Sequence, residues 1–346
     1  MASVNKKETK LDRRTVIKGI GAALGGAMLS GVPGLSRAQE AKWRYYAYTP
    51  PLHQYTKMLK EVAQEVEQKT NKRLQITVFP GGELPYNPTE VLNIVRDRFV
   101  EGGEAVADFV AGSIPLLNLT NLPMLMTSLK ELEEGMKAFQ PHVQSEFDRM
   151  GLQILFWSFG SMKVIFGKGK PVEKLSDLKG IRVRAFGAVD SKFVQLLGAT
   201  PVALPPTEVP QAMQRGVMDA FIASAQFTVG SKWDDLIQWG YLLEMSGIAM
   251  YETISRPALQ ALPADVAKIL LDTGAGYQRK WNDSVFALEK VGREGMQKKG
   301  IKLVTASTED EKRARELITP YWDEWAKSVS PKTVQALQDV RKAVKK

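Results

Sequence analysis

The chain has 346 residues, room for two domains of ordinary size, and its 44% hydrophobic and 25% charged content is normal for a soluble globular protein. Its net charge of +9 is local, because residues 1–38 contribute +5 and the remainder only +4, so we exclude nucleic acid as a partner. The absence of cysteine and the presence of only two histidines exclude disulfides and thiolate sites and argue against a multi-histidine metal site; we expect no metal and no cofactor.

Residues 1–38 have the three parts of an export signal. A basic segment ends in Arg13-Arg14, a Gly/Ala-rich apolar stretch follows, and small residues stand at 36–38. The stretch DRRTVIK is similar to the twin-arginine signal, and a Sec signal with a chance arginine pair is the alternative. In both cases we expect a mature chain that starts near Gln39, is not embedded in a membrane and works in the periplasm.

The next hundred or so residues alternate between strand and helix patterns. Strands are predicted over 42–48, 73–79 and 105–112, with a helix after each of the first two. This alternation is typical of a parallel sheet covered by helices, which binds ligands beyond the carboxyl ends of its strands. Those ends are 48–51, 79–82 and 111–113, and PGGEL at 80–84 is predicted to be a turn rather than a phosphate loop.

A second cycle begins with the apolar run at 152–160 and continues through similar strands and helices to 223. The tail is mostly helical, with one long or kinked helix predicted over 263–300. Ser307, followed by acidic residues, and Ser330-Pro331 have the pattern of helix starts. Two similar cycles predict two lobes of the same kind.

The second cycle contains a specific family pattern. DLKGIRVRAFGAVDSKFVQLLGATPVALPPTEVPQAMQRGVMDA, at 177–220, resembles the signature region of the TRAP-transporter solute receptors, the DctP-type family. Its elements are an Asp-Leu-Lys-Gly opening, a strand ending in arginine, LGA with a following proline, and a helix leading to Gly216 and Asp219. FPGGEL at 79–84 and NLTNLPML at 118–125 fit the same family.

The resemblance implies a two-lobed periplasmic-binding-protein fold of the α/β class. Parallel-rich sheets would be flanked by helices, and a long C-terminal helix would bridge the lobes. We assign residues to the parts as follows: 39–160 with about 247–285 to lobe I, 161–246 with about 286–325 to lobe II, and 326–346 to the C-terminal helix. Hinge candidates lie near Gly160 and Ser246-Gly247.

Arg182 and Arg184 share one face of the strand in GIRVRAFG, by the period of two. The pattern alone favours an internal ion pair for such an arginine. The resemblance instead assigns Arg184 the role of pairing with a ligand carboxylate and places Arg182 at a more variable position. A guanidinium suits that role because its planar fork matches a carboxylate with two parallel hydrogen bonds.

Two departures from the family pattern affect the polar part of the site. Ala223 stands where many members have an asparagine, so that amide contact is either missing or supplied by Ser224 or Gln226. Lys163 is the nearest match to a second basic residue that many members carry.

Aromatic side chains complete the candidate site. They stand at predicted strand ends or helix starts and comprise Tyr48, Trp157, Phe159, Phe186, Phe221 and Trp233. Each one alone is as consistent with core packing, but together they favour a ligand with an apolar or aromatic body. His53 borders the first loop beside Tyr48.

These features predict a non-enzymatic receptor that captures a small organic acid by hinge closure and delivers it to the membrane subunits of a TRAP permease. One alternative is an exported enzyme acting on a small organic acid, since twin-arginine export often carries folded enzymes. The lack of a metal-ligand cluster or a dinucleotide glycine fingerprint argues against it. Another is the ligand-binding component of a different transporter or of a sensor.

Overall fold

The computed structural model describes residues 40–346, and the predicted export signal lies outside them. These residues form eleven strands and eleven α-helices. The strands are β1 (Ala41–Tyr46), β2 (Leu74–Phe79), β3 (Gly102–Val106), β4 (Leu152–Gly160), β5 (Val164–Gly167), β6 (Arg182–Ala185), β7 (Thr200–Ala203), β8 (Ala220–Ala223), β9 (Trp239–Leu242), β10 (Ile248–Ser255) and β11 (Lys302–Thr305). The helices are α1 (Gln54–Lys69), α2 (Val91–Arg96), α3 (Ala107–Val110), α4 (Leu129–Arg149), α5 (Ala188–Leu196), α6 (Val209–Gln214), α7 (Ala225–Gly230), α8 (Arg256–Gln260), α9 (Ala264–Lys298), α10 (Thr308–Val329) and α11 (Pro331–Val344).

The strands form two sheets, one for each lobe. The first lobe has the order β2-β1-β3-β10-β4, and the second has the order β11-β9-β5-β8-β6-β7. In the first sheet only β10 runs antiparallel to its neighbours. In the second sheet only β5 does so. The predicted two-lobed α/β fold with parallel-rich sheets is confirmed.

The third predicted strand was wrong in position. The pattern indicated 105–112, but β3 spans Gly102–Val106 and the chain turns into α3 at Ala107. A Cβ atom on Gly102 would lie 2.6 Å from the ring of Tyr45, so this stretch of β3 can lie against β1 only because it begins with glycine. Packing against β1 therefore favours a strand that begins at the glycines, and the apolar residues that follow form a buried helix.

The elements of the mature chain that were not predicted include α4, β9 and β10. Helix α4 packs against α11, and β10 joins β3 to β4 in the centre of the first sheet. All eight residues of β10 are buried, so this strand lacks the alternation of polar and apolar residues that marks a half-buried strand.

The helical tail follows its local signals. The Oγ atoms of Ser307 and Ser330 accept hydrogen bonds from the backbone N–H groups of Asp310 and Thr333, both at 3.1 Å, so both predicted helix starts are confirmed. The last helix begins at Pro331 rather than at 326, because α10 continues to Val329 before this cap. The lobe boundaries themselves stay a prediction.

The long helix α9 packs against both lobes. It contacts β4 in the first lobe and α7 in the second. At Gly292 the backbone of α7 comes so near that a Cβ atom would lie 3.0 Å from Gln226 N. Together with the two chain segments that cross between the sheets, α9 connects the lobes. None of the helices in residues 40–346 combines the length and apolarity needed to cross a bilayer.

The two crossing segments run side by side. The backbone N–H of Lys163 donates to Ser246 O at 2.8 Å, and that of Met245 donates to Lys163 O at 3.0 Å. These bonds fix Lys163 at the place where the chain passes from one lobe to the other.

Candidate ligand-binding site

A cavity of about 320 Å³ lies between the lobes at the carboxyl ends of β1 and β2. Its first-lobe wall comes from 46–50 and 81–88, and its second-lobe wall comes from 205–210 and 227–233. The predicted PGGEL turn is hydrogen-bonded to the segment after β1, since Gly81 N donates to Thr49 O at 2.9 Å. The predicted strand ends after β1 and β2 thus line the cavity, whereas 111–113 does not.

Arg184 is buried next to the second-lobe wall of this cavity, which begins one residue after its hydrogen-bond partner Leu204. Only 1% of the residue is exposed, its Nε donates to Leu204 O at 3.2 Å, and its guanidinium carbon lies 4.4 Å from the centre of the Phe186 ring. Its Nη1 atom has no hydrogen-bond partner, and no carboxylate of residues 40–346 forms an ion pair with it. The structure therefore holds a buried guanidinium in place and leaves part of its fork free.

Lys163 lies between two aspartates from different lobes. Its Nζ is 2.9 Å from Asp108 Oδ1, in α3 of the first lobe, and 3.2 Å from Asp190 Oδ2, in α5 of the second. All three side chains are almost fully buried. The remaining carboxylate oxygens, Asp108 Oδ2 and Asp190 Oδ1, have no partner among the described residues.

Burial and mutual attraction compete in this cluster. Burial raises the pKa of Asp108 to about 6 despite the opposing effect of Lys163. Burial would lower the pKa of Lys163, but the two aspartates outweigh it and raise that pKa. Burial lowers the pKa of Arg184 to about 10, against the attraction of the same aspartates. Both cations remain charged at neutral pH.

A row of aromatic rings runs from Arg184 along the interface between the lobes. Phe186 stacks 6.0 Å from Phe109, which meets Tyr48 edge-on at 5.8 Å. Tyr48 is parallel to Phe227 at 6.5 Å, and Phe227 meets Trp233 at 5.2 Å. Two of these four contacts, Phe186–Phe109 and Tyr48–Phe227, join a ring of one lobe to a ring of the other, so the row is complete only when the lobes are together.

Comparison with known proteins places this architecture in a family. The model of the bacterial extracellular solute-binding proteins, family 7 (DctP), matches residues 46–328. The chain belongs to this family. The members of this family are solute receptors rather than a class of enzymes. The predicted relationship of the chain to the DctP-type proteins is confirmed.

Several relatives resemble the receptor over most of their length. DctP7 of Bordetella pertussis, an extracytoplasmic solute receptor binding pyroglutamic acid, is 27% identical with a TM-score of 0.81, over 88% of this chain and 100% of that one. A TRAP periplasmic solute-binding protein of Desulfovibrio salexigens, with bound orotic acid, is 20% identical with a TM-score of 0.81, over 88% and 99%. A solute-binding protein of Albidiferax ferrireducens is 23% identical over 262 residues, 72% of this chain and 75% of that one.

The structure brings six of the sequence-predicted site residues to the interface between the lobes or to the segments beside it. These are Tyr48, Lys163, Arg184, Phe186, Gln226 and Trp233. Gln226 is buried in α7, and its Oε1 accepts a hydrogen bond from Tyr55 Oη of the first lobe at 3.2 Å.

The other four lie elsewhere or have a structural partner. Trp157 and Phe159 pack on each other 6.1 Å apart, and Phe159 meets Phe286 of α9. Phe221 is fully buried in the core of the second lobe, 6.1 Å from Phe166. Ser224 caps α7, its Oγ accepting from Phe227 N at 3.2 Å. Aromatic residues at strand ends thus divide between core and interface, a choice that local pattern does not specify.

Sequence reasoning missed three interface residues: Asp108, Phe109 and Asp190. The first two fell inside the strand wrongly predicted over 105–112, where they looked like ordinary strand residues. Asp190 stands six residues after Arg184, within the family signature and in the first turn of α5. An acidic residue inside the signature, close in sequence to a predicted cation site, was the available signal.

Proposed function

We propose that this receptor binds one small monocarboxylate between its lobes and delivers it unchanged to the membrane subunits of a TRAP-type transporter. Arg184 is the partner of the carboxylate, and the row of rings from Phe186 to Trp233 packs against the body of the ligand.

The observation that carries the proposal is the unpaired part of the Arg184 guanidinium. A buried charge without a partner is costly, and arginine in such a position normally pairs with a carboxylate or phosphate. Here Nη1 has no partner, while the ring of Phe186 and the carbonyl of Leu204 hold the group in place. A ligand carboxylate would supply the acceptor that Nη1 lacks.

The charges around the site favour a single negative group. Lys163 forms ion pairs with both Asp108 and Asp190, whereas Arg184 is the cation of this four-residue cluster that has no ion pair of its own. A second ligand carboxylate near the cluster would meet two aspartates. The rings next to it favour a compact apolar or ring-shaped body, and pyroglutamic acid, the ligand of the Bordetella relative, has one carboxylate on a small ring.

Binding of pyroglutamate and other ring carboxylates, measured by titration calorimetry, tests this proposal. Arg184→Ala should weaken the affinity about 30-fold to several thousandfold, since truncating one member of a buried charge pair costs roughly 2–5 kcal/mol. Arg184→Lys should retain only part of the affinity, because the lysine ammonium is a point charge and does not reproduce the planar fork of the guanidinium.

Arg182→Ala is the matched control on the same strand. Arg182 is 43% exposed and pairs with Asp219 through two hydrogen bonds, at 2.6 and 2.9 Å. Its removal should leave the affinity unchanged. If Arg184→Ala binds as tightly as wild type, the proposed carboxylate contact is wrong.

Closure and release of unchanged ligand are tested separately. Lys163 and the rings connect both lobes, so saturating ligand should reduce the radius of gyration in solution scattering. Mass spectrometry after prolonged incubation should recover the added acid intact. A stoichiometric or catalytic conversion would support the exported-enzyme alternative instead.

The route and the partner are also part of the proposal. Arg13-Arg14 directs twin-arginine export to the periplasm, so changing both to lysine should leave precursor in the cytoplasm, whereas normal export would indicate the Sec pathway. Neighbouring genes for a small and a large membrane subunit would support the TRAP partner.

A further inference from the structure

Two buried donor groups that belong to residues in contact with Tyr55 have no partner where α1 of the first lobe meets α7 of the second, close to Gln54 and Ser231, which also have buried polar atoms without partners. They are the ring nitrogen His53 Nε2 and the amide nitrogen Gln226 Nε2, neither of which has a hydrogen-bond partner within residues 40–346. His53 is 1% exposed and Gln226 is 3% exposed. Both are therefore shielded from bulk water as well as from protein acceptors.

Their other polar atoms determine that both groups are donors. His53 caps α1, and its Nδ1 accepts a hydrogen bond from Tyr55 N at 3.2 Å, so the ring hydrogen is on Nε2. Burial lowers the pKa of His53 to about 4, which keeps the ring neutral. Gln226 Oε1 accepts from Tyr55 Oη, so its NH₂ group remains.

Contacts with Tyr55 and α7 hold the two donors in the same interface. The His53 ring is 4.7 Å from the Tyr55 ring, and Tyr55 is hydrogen-bonded to Gln226. His53 Nε2 would lie 2.9 Å from a Cβ atom on Gly230, so this nitrogen faces the second lobe. Phe227, a wall residue of the cavity, is 5.4 Å from His53.

We propose that His53 and Gln226 form a second subsite, which binds a neutral oxygen acceptor of the ligand such as a carbonyl or hydroxyl oxygen. Unpaired buried donors are rare in native proteins, and two at an interface that closes on a ligand indicate an acceptor supplied by that ligand. The inference rests on the proposed function, in which Arg184 holds the carboxylate of the same ligand.

The surrounding charge favours a neutral acceptor over a second carboxylate. The carboxylate of Glu289 accepts hydrogen bonds from the backbone N–H groups of Ala225 and Gln226, at 3.2 and 3.0 Å. A negative charge therefore already lies next to the Gln226 backbone. The cations nearby are Lys57, which is exposed, and Arg293, which is paired with Glu289 at 2.9 Å. His53 is neutral, so neither donor of the subsite carries a charge that would offset a second negative group.

Two acids that differ by one oxygen test the subsite. Cyclopentanecarboxylate and 3-oxocyclopentane-1-carboxylate share the ring and the carboxylate, and only the second has an acceptor on the ring. Wild type should bind the keto acid about tenfold more tightly by calorimetry, the effect of one to two net hydrogen bonds. His53→Phe and Gln226→Leu should each reduce this preference, which is the ratio of the two affinities measured on the same variant.

His142→Phe is the matched control, since the chain has only one other histidine and it pairs with Asp339 on α11, at 2.8 Å. It should keep the full preference.

Each remaining outcome counts against the subsite. Equal affinity of wild type for the two acids, with Arg184 still required, would overturn the subsite and leave the proposed function intact. A preference that survives in both variants would also overturn it. Binding of neither acid would overturn the ring-carboxylate proposal and the subsite together. The comparison of the two acids on wild type needs no variant, so a variant that fails to fold does not prevent the test.

Discussion

Two buried clusters of ionisable groups in this receptor offset the cost of burying charge in different ways. At the interface between the lobes, Lys163 is enclosed by Asp108 and Asp190, with Arg184 beside them. Inside the first sheet, Glu104 on β3 stands directly opposite Glu252 on β10, and both are almost fully buried. No lysine or arginine is among the groups that shift the pKa of either glutamate.

The difference decides which cluster can bind an anion. The interface cluster is compensated by opposite charges, so its cations stay ionised and one of them remains free for a ligand. The glutamate pair is compensated by protons: burial raises the pKa of Glu252 to about 8, and burial together with Glu252 raises the pKa of Glu104 well above its ordinary value. It is a neutral part of the scaffold, with Tyr45 Oη donating to Glu252 at 2.6 Å and Tyr48 N to Glu104 at 3.2 Å.

The largest effect should follow from removing the central cation of the interface cluster. Lys163→Met leaves Asp108 and Asp190 buried without their partner, and breaking a buried pair in this way destabilises a protein by about 3–5 kcal/mol. Chemical denaturation at neutral pH measures this loss. Adding Asp108→Asn to the variant should recover part of it.

Lys302→Met is the control for that measurement. Lys302 pairs with Glu173 on the surface, where both side chains are at least half exposed, and its loss should barely change the denaturation midpoint. Equal stability of Lys163→Met and wild type would show that the cluster does not depend on charge compensation.

The glutamate pair should make the free energy of unfolding fall as pH rises. The ordinary pKa of glutamate is 4.5, and that of Glu252 is raised to about 8 in the fold. Between these values the folded state binds more protons than the unfolded state. The free energy of unfolding should therefore fall as pH rises through this window, by about 1.4 kcal/mol per pH unit for one proton.

Glu252→Gln should remove that share of the slope and keep an acceptor for Tyr45. Denaturation curves at pH values from 5 to 9 compare it with wild type and with the exposed control Glu83→Gln, which should retain the wild-type slope. A wild-type stability that rises over this range would contradict the protonated pair.

The smallest effect belongs to Arg182, which sharpens the contrast with Arg184 two residues away. Its ion pair with Asp219 is exposed to solvent, so Arg182→Ala should lower the melting temperature only slightly. High salt should erase even this difference, because exposed charges are screened. A large loss of ligand affinity in this variant would mean that the two arginines have been assigned the wrong roles.

Much of this molecule could be predicted from short segments. The bounds of β4 and the caps of α10 and α11 follow from hydrophobic pattern and capping residues, which act over a few positions. The family pattern around Arg184 predicted the fold and drew attention to the buried arginine. Arg184 could be singled out because its neighbours in the signature are close in sequence.

What the sequence by itself determined is therefore local conformation and family membership. Tertiary structure decided which charges meet: Lys163 and Asp108 are 55 residues apart, and the hydrogen bond from Tyr55 to Gln226 spans 171. It also decided that β3 begins at Gly102, where only glycine fits against Tyr45. Periodicity reports the face on which a side chain lies, whereas burial, pKa and the loss of hydrogen-bond partners depend on segments that approach only after the lobes have folded and met.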